Sequence, residues 1–232
     1  MNSSPSDHLE TELKFDAGPG FVVPDLSALA GGLTVTEPET TLLVATYFDT
    51  GDLRLDAARV TLRRRTGGAD QGWHLKLPAA QSSDQDPAER TRQELHEPLG
   101  DSDTVPARFQ AETSRWTQGR PLGVVAVLET QRSVRRLAGA DGQVAAELAD
   151  DLVTGRVTGP ADAASEPVTW REIEVELVDG GPEILAAAAS ALEAAGAQRS
   201  RSPSKLARLL GSPAAQAARR RSGPSGLTRT GR

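Results

Sequence analysis

The stretch His8-Leu9-Glu10-Thr11-Glu12-Leu13-Lys14-Phe15 decides how the chain is read. Successive side chains of a strand point to opposite faces, so Leu9, Leu13 and Phe15 share one face and Glu10, Glu12 and Lys14 the other. Period-two alternation of this kind specifies a strand with one buried face. The same pattern recurs from Leu42 to Phe48, Arg59 to Arg65, Gly72 to Leu77, Arg90 to Glu97, Val124 to Arg136, Gln143 to Val153 and Thr169 to Val178. Turn signals separate these runs at Gly51-Asp52, Gly67-Gly68, Pro78, Gly139 to Gly142, Gly159-Pro160 and Asp179-Gly180-Gly181. Helices are few. The clearest runs from Pro182 to Ala195, with Pro in its first turn, Ile184, Leu185, Ala188 and Leu192 on one side and Gly196 beyond its end. Further helices are predicted over Pro203 to Leu210, Asp25 to Ala30 and Thr104 to Gln118. About eight antiparallel strands favour closure, because a closed sheet has no exposed edges. The expected fold is therefore mainly β, of α+β type: an eight-stranded antiparallel β-barrel with a few flanking helices.

A chain of 232 residues suits one domain with tails. We expect residues 1–7 to be flexible, 8–211 to form the domain, and 212–232 to be a basic, disordered tail with little to bury. Without cysteine there is no disulfide or thiolate site, and His8, His74 and His96 are too scattered for a zinc centre. A metal would therefore be held by oxygen. No apolar run approaches a membrane span, and Met1 to Asp7 lack the features of a signal peptide, which points to a cytoplasmic protein. The net charge is −6, but residues 199–232 contain nine Lys/Arg and no acid, leaving about −15 on the first 198. An acidic body argues against nucleic acid as the main partner, and it could hold a polyanion only with cations in between.

On several strands the face opposite the apolar one is charged at every second position. Glu10, Glu12 and Lys14 align; so do Arg63 and Arg65, His74 and Lys76, and Arg92, Glu94 and His96. Glu172, Glu174 and Glu176 repeat the pattern, and Glu147, Ala149 and Asp151 share a face on the strand before. Such faces either meet solvent, as on an ordinary amphipathic strand, or line the lumen of a barrel. In a lumen they suit phosphoryl transfer to water: carboxylates hold Mg²⁺ or Mn²⁺, and Arg and Lys clamp phosphate oxygens. Asp150 and Asp151 point to opposite faces, and parity with Glu147 selects Asp151. On the last long strand Glu172 and Glu174 are taken as ligands with Glu176 left open. Arg132 is taken ahead of Arg135 and Arg136.

In order and spacing these pieces resemble the CYTH superfamily of triphosphate tunnel enzymes, which includes class IV adenylyl cyclases, thiamine triphosphatases and inorganic triphosphatases. The resemblance spans about Leu9 to Leu209. It rests on Glu10-x-Glu12-x-Lys14, Tyr47-Phe48-Asp49-Thr50, Arg63-x-Arg65, Trp73 to Pro78, Arg92-Gln93-Glu94, Thr130-Gln131-Arg132, Glu147 to Asp151, Glu172 to Glu176 and Ser204-Lys205. It implies a tunnel in which Glu10, Glu12, Asp151, Glu172 and Glu174 hold the metal and Lys14, Arg63, Arg65, Lys76, Arg132 and Lys205 bind phosphates. It further implies that Glu94 orients a cation or water, and that Tyr47 and Lys76 assist protonation of the leaving group. The context also resembles a bacterial branch often fused to a CHAD domain, so that this chain is expected to be either a standalone member or an excised one.

The expected reaction is metal-dependent hydrolysis of a triphosphate, with inorganic triphosphate preferred. Thiamine triphosphate hydrolysis and adenylyl cyclisation are the alternatives within the family, and a non-catalytic polyphosphate-binding module is the alternative outside it. The scarcity of aromatic residues, with three Trp, one Tyr and four Phe, disfavours a stacked organic group. Expected partners are a small-molecule triphosphate or polyphosphate, without membrane or specific nucleic acid. Homodimerisation is left open.

Overall fold

The structure is a computed structural model and describes residues 6–27, 29, 33–78, 89–158 and 165–221. In chain order the elements are β1 (Ser6–Ala17), β2 (Thr34–Val35), β3 (Glu39–Asp49), α1 (Arg54–Ala57), β4 (Thr61–Thr66), β5 (Gly72–Pro78), β6 (Glu89–Glu97), α2 (Ala107–Thr117), β7 (Gly123–Ala138), β8 (Val144–Val157), β9 (Val168–Leu177), α3 (Pro182–Ala194), β10 (Gln198–Arg199), α4 (Lys205–Leu210) and α5 (Pro213–Arg221). The eight long strands pair antiparallel in the order β1-β6-β5-β4-β3-β7-β8-β9, and β9 pairs back onto β1. Closure sets Glu12 opposite Glu176 and Phe15 opposite Ile173. The two-residue strands β2 and β10 only extend the sheet, beside β7 and β1.

The barrel keeps its apolar residues outside, under helices, and its charges inside. Leu13, Phe15, Leu148, Ile173 and Val175 lie beneath Ile184, Leu185, Ala188 and Leu192 of α3. This helix starts with Pro182 in its first turn. It closes at Gly196, whose φ of +101° lets its N–H reach Glu193 O (2.9 Å) and that of Ala197 reach Leu192 O (2.9 Å). On the opposite wall Leu62, Trp73, Leu75 and Leu95 lie beneath Phe109 of α2 and Leu55 of α1. Each fully buried apolar side chain contributes roughly 1.5–3 kcal/mol, whereas a charge taken out of water costs several kcal/mol. The outer layers therefore carry the stability, and the lumen draws on it.

One end of the lumen is filled. Ala45, Leu128, Val153 and Trp170 meet Leu206, Leu209 and Leu210 of α4 and Ala215 of α5. Gly155 makes the fit: a Cβ there would lie 3.1 Å from Leu209 Cδ2 and 3.2 Å from Leu128 Cγ. The hydroxyl of Ser204 caps α4 by accepting the Ala207 N–H at 3.0 Å.

Several boundaries differ from the sequence reading. Strand β4 starts at Thr61, not Arg59, because the one-turn helix α1 precedes it and Arg59 turns the chain at φ 58°. No helix forms among the described residues of 25–30; Asp25 instead accepts the Ser27 N–H at 2.9 Å in a turn. The helix expected from Pro203 begins at Lys205, and the one expected over Thr104 to Gln118 is Ala107–Thr117. The stretch from Ser212, expected to be disordered, is helical over Pro213–Arg221: alanine favours helix, and Ala215 and Ala218 are small enough to bury. Residues 222–232 lie outside the described residues. Ser6 and Asp7, expected to be flexible, instead begin β1 opposite His96 and Leu95, while 1–5 lie outside the described residues.

Candidate functional site

The charged strand faces line the lumen. A cavity of about 400 Å³ is bounded by Glu10, Glu12, Lys14, Tyr47, Arg63, Arg65, Lys76, Glu94, Arg132, Glu174 and Lys205, all singled out in the sequence. Asp151 and Glu172 are buried behind it and join it through Lys205. Strand pairing explains the convergence: Asp151 lies opposite both Arg132 and Glu172, Arg63 lies between Tyr47 and His74, and Lys76 lies between Thr61 and Glu94. The parity choices are resolved by contacts. Asp150 faces outward and takes the Arg171 guanidinium at 2.8 and 2.7 Å. Arg135 lies opposite outward-facing Leu148, and Arg136 pairs with Glu147 and Glu39. Glu176 also lines the cavity.

Near the filled end, oxygen atoms of Asp151, Glu172 and Glu174 lie within 4.8 Å of one another. Lys205 Nζ reaches all three, at 2.9, 2.7 and 2.7 Å. Arg132 forks onto Asp151 at 2.8 and 2.6 Å and donates to Glu174 at 2.7 Å, and Lys14 also binds Glu174. Trp170 Nε1 donates to Glu172 Oε2 at 2.6 Å. Across the lumen Lys76 Nζ lies 2.6 Å from Glu10 Oε1 and 3.4 Å from Glu94 Oε2. Glu94 Oε1 lies 2.8 Å from His74 Nδ1, and His74 Nε2 contacts the Asp70 carbonyl at 3.0 Å. The Nε–H groups of Arg63 and Arg65 are buried without a hydrogen-bond partner among the described residues.

The CYTH domain model matches residues 8–210. The chain belongs to the CYTH family. It is 40% identical over 218 residues to the uncharacterized protein Rv2226 of Mycobacterium tuberculosis H37Rv, covering 89% of this chain and 41% of that protein. The same figures hold for the uncharacterized protein MT2285 of strain CDC 1551. The chain thus spans about two fifths of the length of these curated relatives. Among solved structures it resembles a candidate adenylate cyclase from Bacillus halodurans, with 16% identity, a TM-score of 0.53 and coverage of 87% of this chain and 97% of that one. That likeness confirms the fold, a closed eight-stranded barrel. Among the described residues no helix is long and apolar enough to cross a membrane.

Within this CYTH barrel the two signs of charge set each other's ionisation. Burial pushes Glu174 upward, but Lys14, Lys205 and Arg132 outweigh it and hold the carboxyl well below its usual range. Asp151 is held down against burial by Arg132 and Lys205, and Glu12 by Lys14, Lys76 and Arg92. Glu94 is lowered likewise, by Lys76, His74 and Arg63 against burial. Glu10 moves the other way: burial, with Glu12 and Glu94 adding to it, raises it despite Lys76. Glu176 is pushed up to about 8 by burial and by Glu10 and Glu12. Burial, then Arg63 and Arg132, lower Arg65 to about 9. Burial, with Arg63 and Arg65, lowers His74 to about 3.

Some lining groups escaped the sequence reading. Thr61 and Asp70 bound the cavity, and Asp70 pairs with Arg65. Asp70 sits in the turn between β4 and β5, where no periodicity marks it. His74, His96 and Arg92 also line the cavity, on the strand faces where the charge alternation had aligned them with Lys76 and Glu94 without giving them a role. Asp49, part of the Tyr47-Phe48-Asp49-Thr50 signature, instead receives the N–H groups of Thr50, Leu55 and Asp56 and builds the turn into α1.

Proposed function

We propose that this chain is a metal-dependent hydrolase of a triphosphate, with inorganic triphosphate as its preferred substrate. The observation that carries the reading is the juxtaposition of a cavity wall carrying Arg63, Arg65, Lys76 and Glu174 with the carboxylates Asp151 and Glu172 buried directly behind it. The donor set fits Mg²⁺ or Mn²⁺: it is all oxygen, and oxygen atoms of Asp151, Glu172 and Glu174 converge within 4.8 Å on a point now held by a cation, the Lys205 ammonium. Asp151, Glu172 and Glu174, with Glu10 and Glu12, would hold the ion. When bound, it neutralises phosphate oxygens and acidifies a water. Arg63 and Arg65 bring unspent Nε–H donors to phosphate oxygens, and Lys14, Arg132 and Lys205 exchange carboxylate for phosphate. Glu94, held ionised, accepts a hydrogen bond from the attacking water, while Tyr47 and Lys76 stand on the leaving-group side.

The substrate preference rests on what the cavity lacks. None of Trp73, Trp116 and Trp170 lines it: Trp73 packs outside against Phe48, Trp116 lies under Arg115, and Trp170 belongs to the filled end. Tyr47 is then the one Tyr or Trp on the wall, a poor platform for adenine or thiamine. The test is a substrate panel of tripolyphosphate, ATP and thiamine triphosphate with Mg²⁺ or Mn²⁺, read for orthophosphate, pyrophosphate and cyclic AMP. We expect orthophosphate from tripolyphosphate, dependent on metal and lost in Arg63→Ala. Pyrophosphate with cyclic AMP from ATP would show a cyclase instead. Binding of all three without product would show a polyphosphate-binding module.

A further inference from the structure

We propose that Lys205 is an internal stand-in for the metal: its ammonium occupies the convergence point of Asp151, Glu172 and Glu174, and an incoming divalent ion must displace it. Among the described residues only Lys205 touches all three acids, at 2.9, 2.7 and 2.7 Å; Arg132 forks onto Asp151 and Glu174 from the side, and Lys14 reaches Glu174. A positive charge at the centre of three carboxylates is what such a cage needs when no ion is bound. Without it, among the described residues, the only cation left to Glu172 is Arg208, at 4.0 Å, and Asp151 and Glu174 keep only Arg132 and Lys14 at their sides. Lys205 can also leave without unfolding its support. It is the first residue of α4, which is fixed independently by the Ser204 cap and by Leu206, Leu209 and Leu210 packed in the barrel end. The four-carbon stem can swing while the helix stays. Displaced, the ammonium remains in the lumen beside Lys14 and Arg132, where a phosphate is its natural partner. Metal entry would thus release a phosphate ligand, coupling the two loading steps through one side chain.

This inference rests on the metal-dependent reading above and is tested by binding, not turnover. Mn²⁺ is titrated into substrate-free wild type, Lys205→Met and Lys205→Gln, with free Mn²⁺ read by electron paramagnetic resonance. Arg171→Met serves as control: it also deletes a cation from β9, next in sequence to Glu172, but that cation pairs with outward-facing Asp150 and lies outside the cavity. We expect both Lys205 variants to bind Mn²⁺ at least tenfold more tightly than wild type, and Arg171→Met to change affinity by less than threefold. Thermal unfolding guards against misfolding: without metal the Lys205 variants should melt below wild type, and Mn²⁺ should raise their midpoint by more than it raises that of wild type. Wild-type binding with unchanged or weaker affinity in Lys205→Met overturns the stand-in role alone, as does equal tightening in Arg171→Met. No Mn²⁺ binding by any of the proteins overturns the metal reading and the stand-in together.

Discussion

Replacing Asp49 tests whether a signature carboxylate serves the fold and not the chemistry. Its Oδ1 accepts the N–H of Thr50 at 2.6 Å and of Leu55 at 2.9 Å, and its Oδ2 accepts that of Asp56 at 2.9 Å. These are amides of the turn and first residues of α1, where Leu53, the residue before the helix, offers no side-chain cap and sits at φ 58°. Asp49 is itself 1% exposed, so water cannot replace it. Hydrogen bonds to a charged acceptor are worth roughly 1.5 kcal/mol or more each, and Asp49→Ala deletes three from backbone amides, besides a longer one from the Thr50 hydroxyl at 3.4 Å. The expected loss is about 4 kcal/mol, a large part of an ordinary domain's stability. Asp49→Asn keeps Oδ1 and its two donors but turns an NH₂ toward the Asp56 N–H, for a loss of about 2 kcal/mol. Urea unfolding of the three proteins, with unchanged denaturant dependence, measures both values. Mn²⁺ binding by folded Asp49→Asn should match wild type, because Asp49 is not among the cavity-lining residues. A loss under 1 kcal/mol in Asp49→Ala, or abolished Mn²⁺ binding in a fully folded Asp49→Asn, would refute the capping role.

Two further perturbations address the filled end and the lumen. Gly155→Val places carbon about 3 Å from Leu209 and Leu128; over-packing of this kind costs about 1–3 kcal/mol, and the fluorescence of Trp170, which shares that cluster, should shift, whereas unchanged stability and spectrum would place α4 elsewhere. His74, with a folded pKa of about 3 against an ordinary 6.5, binds fewer protons folded than unfolded between those values. Its stabilising contribution is complete above pH 6.5 and lost as pH falls toward 3, at about 1.4 kcal/mol per pH unit for one proton. Urea unfolding of His74→Gln between pH 6.5 and 4.5 should show a shallower pH slope than wild type, and an identical slope would contradict a buried, uncharged ring.

Strand parity made much of the barrel and site legible in the sequence. Leu13 and Phe15 had to share a face, Glu10, Glu12 and Lys14 the other, and a strand offers no third choice. The same logic separated Asp150 from Asp151 one residue apart, and the structure turns the first to Arg171 and the second to Arg132. What parity could not give was direction. A strand with charges on one side reads identically whether that side meets water or a lumen, and only closure of β9 onto β1, under helices covering the apolar faces, decides. Three other features left no periodic trace. Helix α1 spans a single turn, shorter than any repeat that marks a helix; Asp70 reaches the lumen from a turn; and α5 buries alanines in a segment whose arginines suggested a solvated tail. Asp49 shows a different limit. The signature sets it two residues from Tyr47 without saying what it does; its oxygens are spent on backbone amides, and only the path of the chain after β3 brings those amides within reach. Sequence thus identifies which carboxylates share a face, whereas their use depends on which donors the fold brings to them: main-chain N–H groups for Asp49, Lys205 and Arg132 for Asp151.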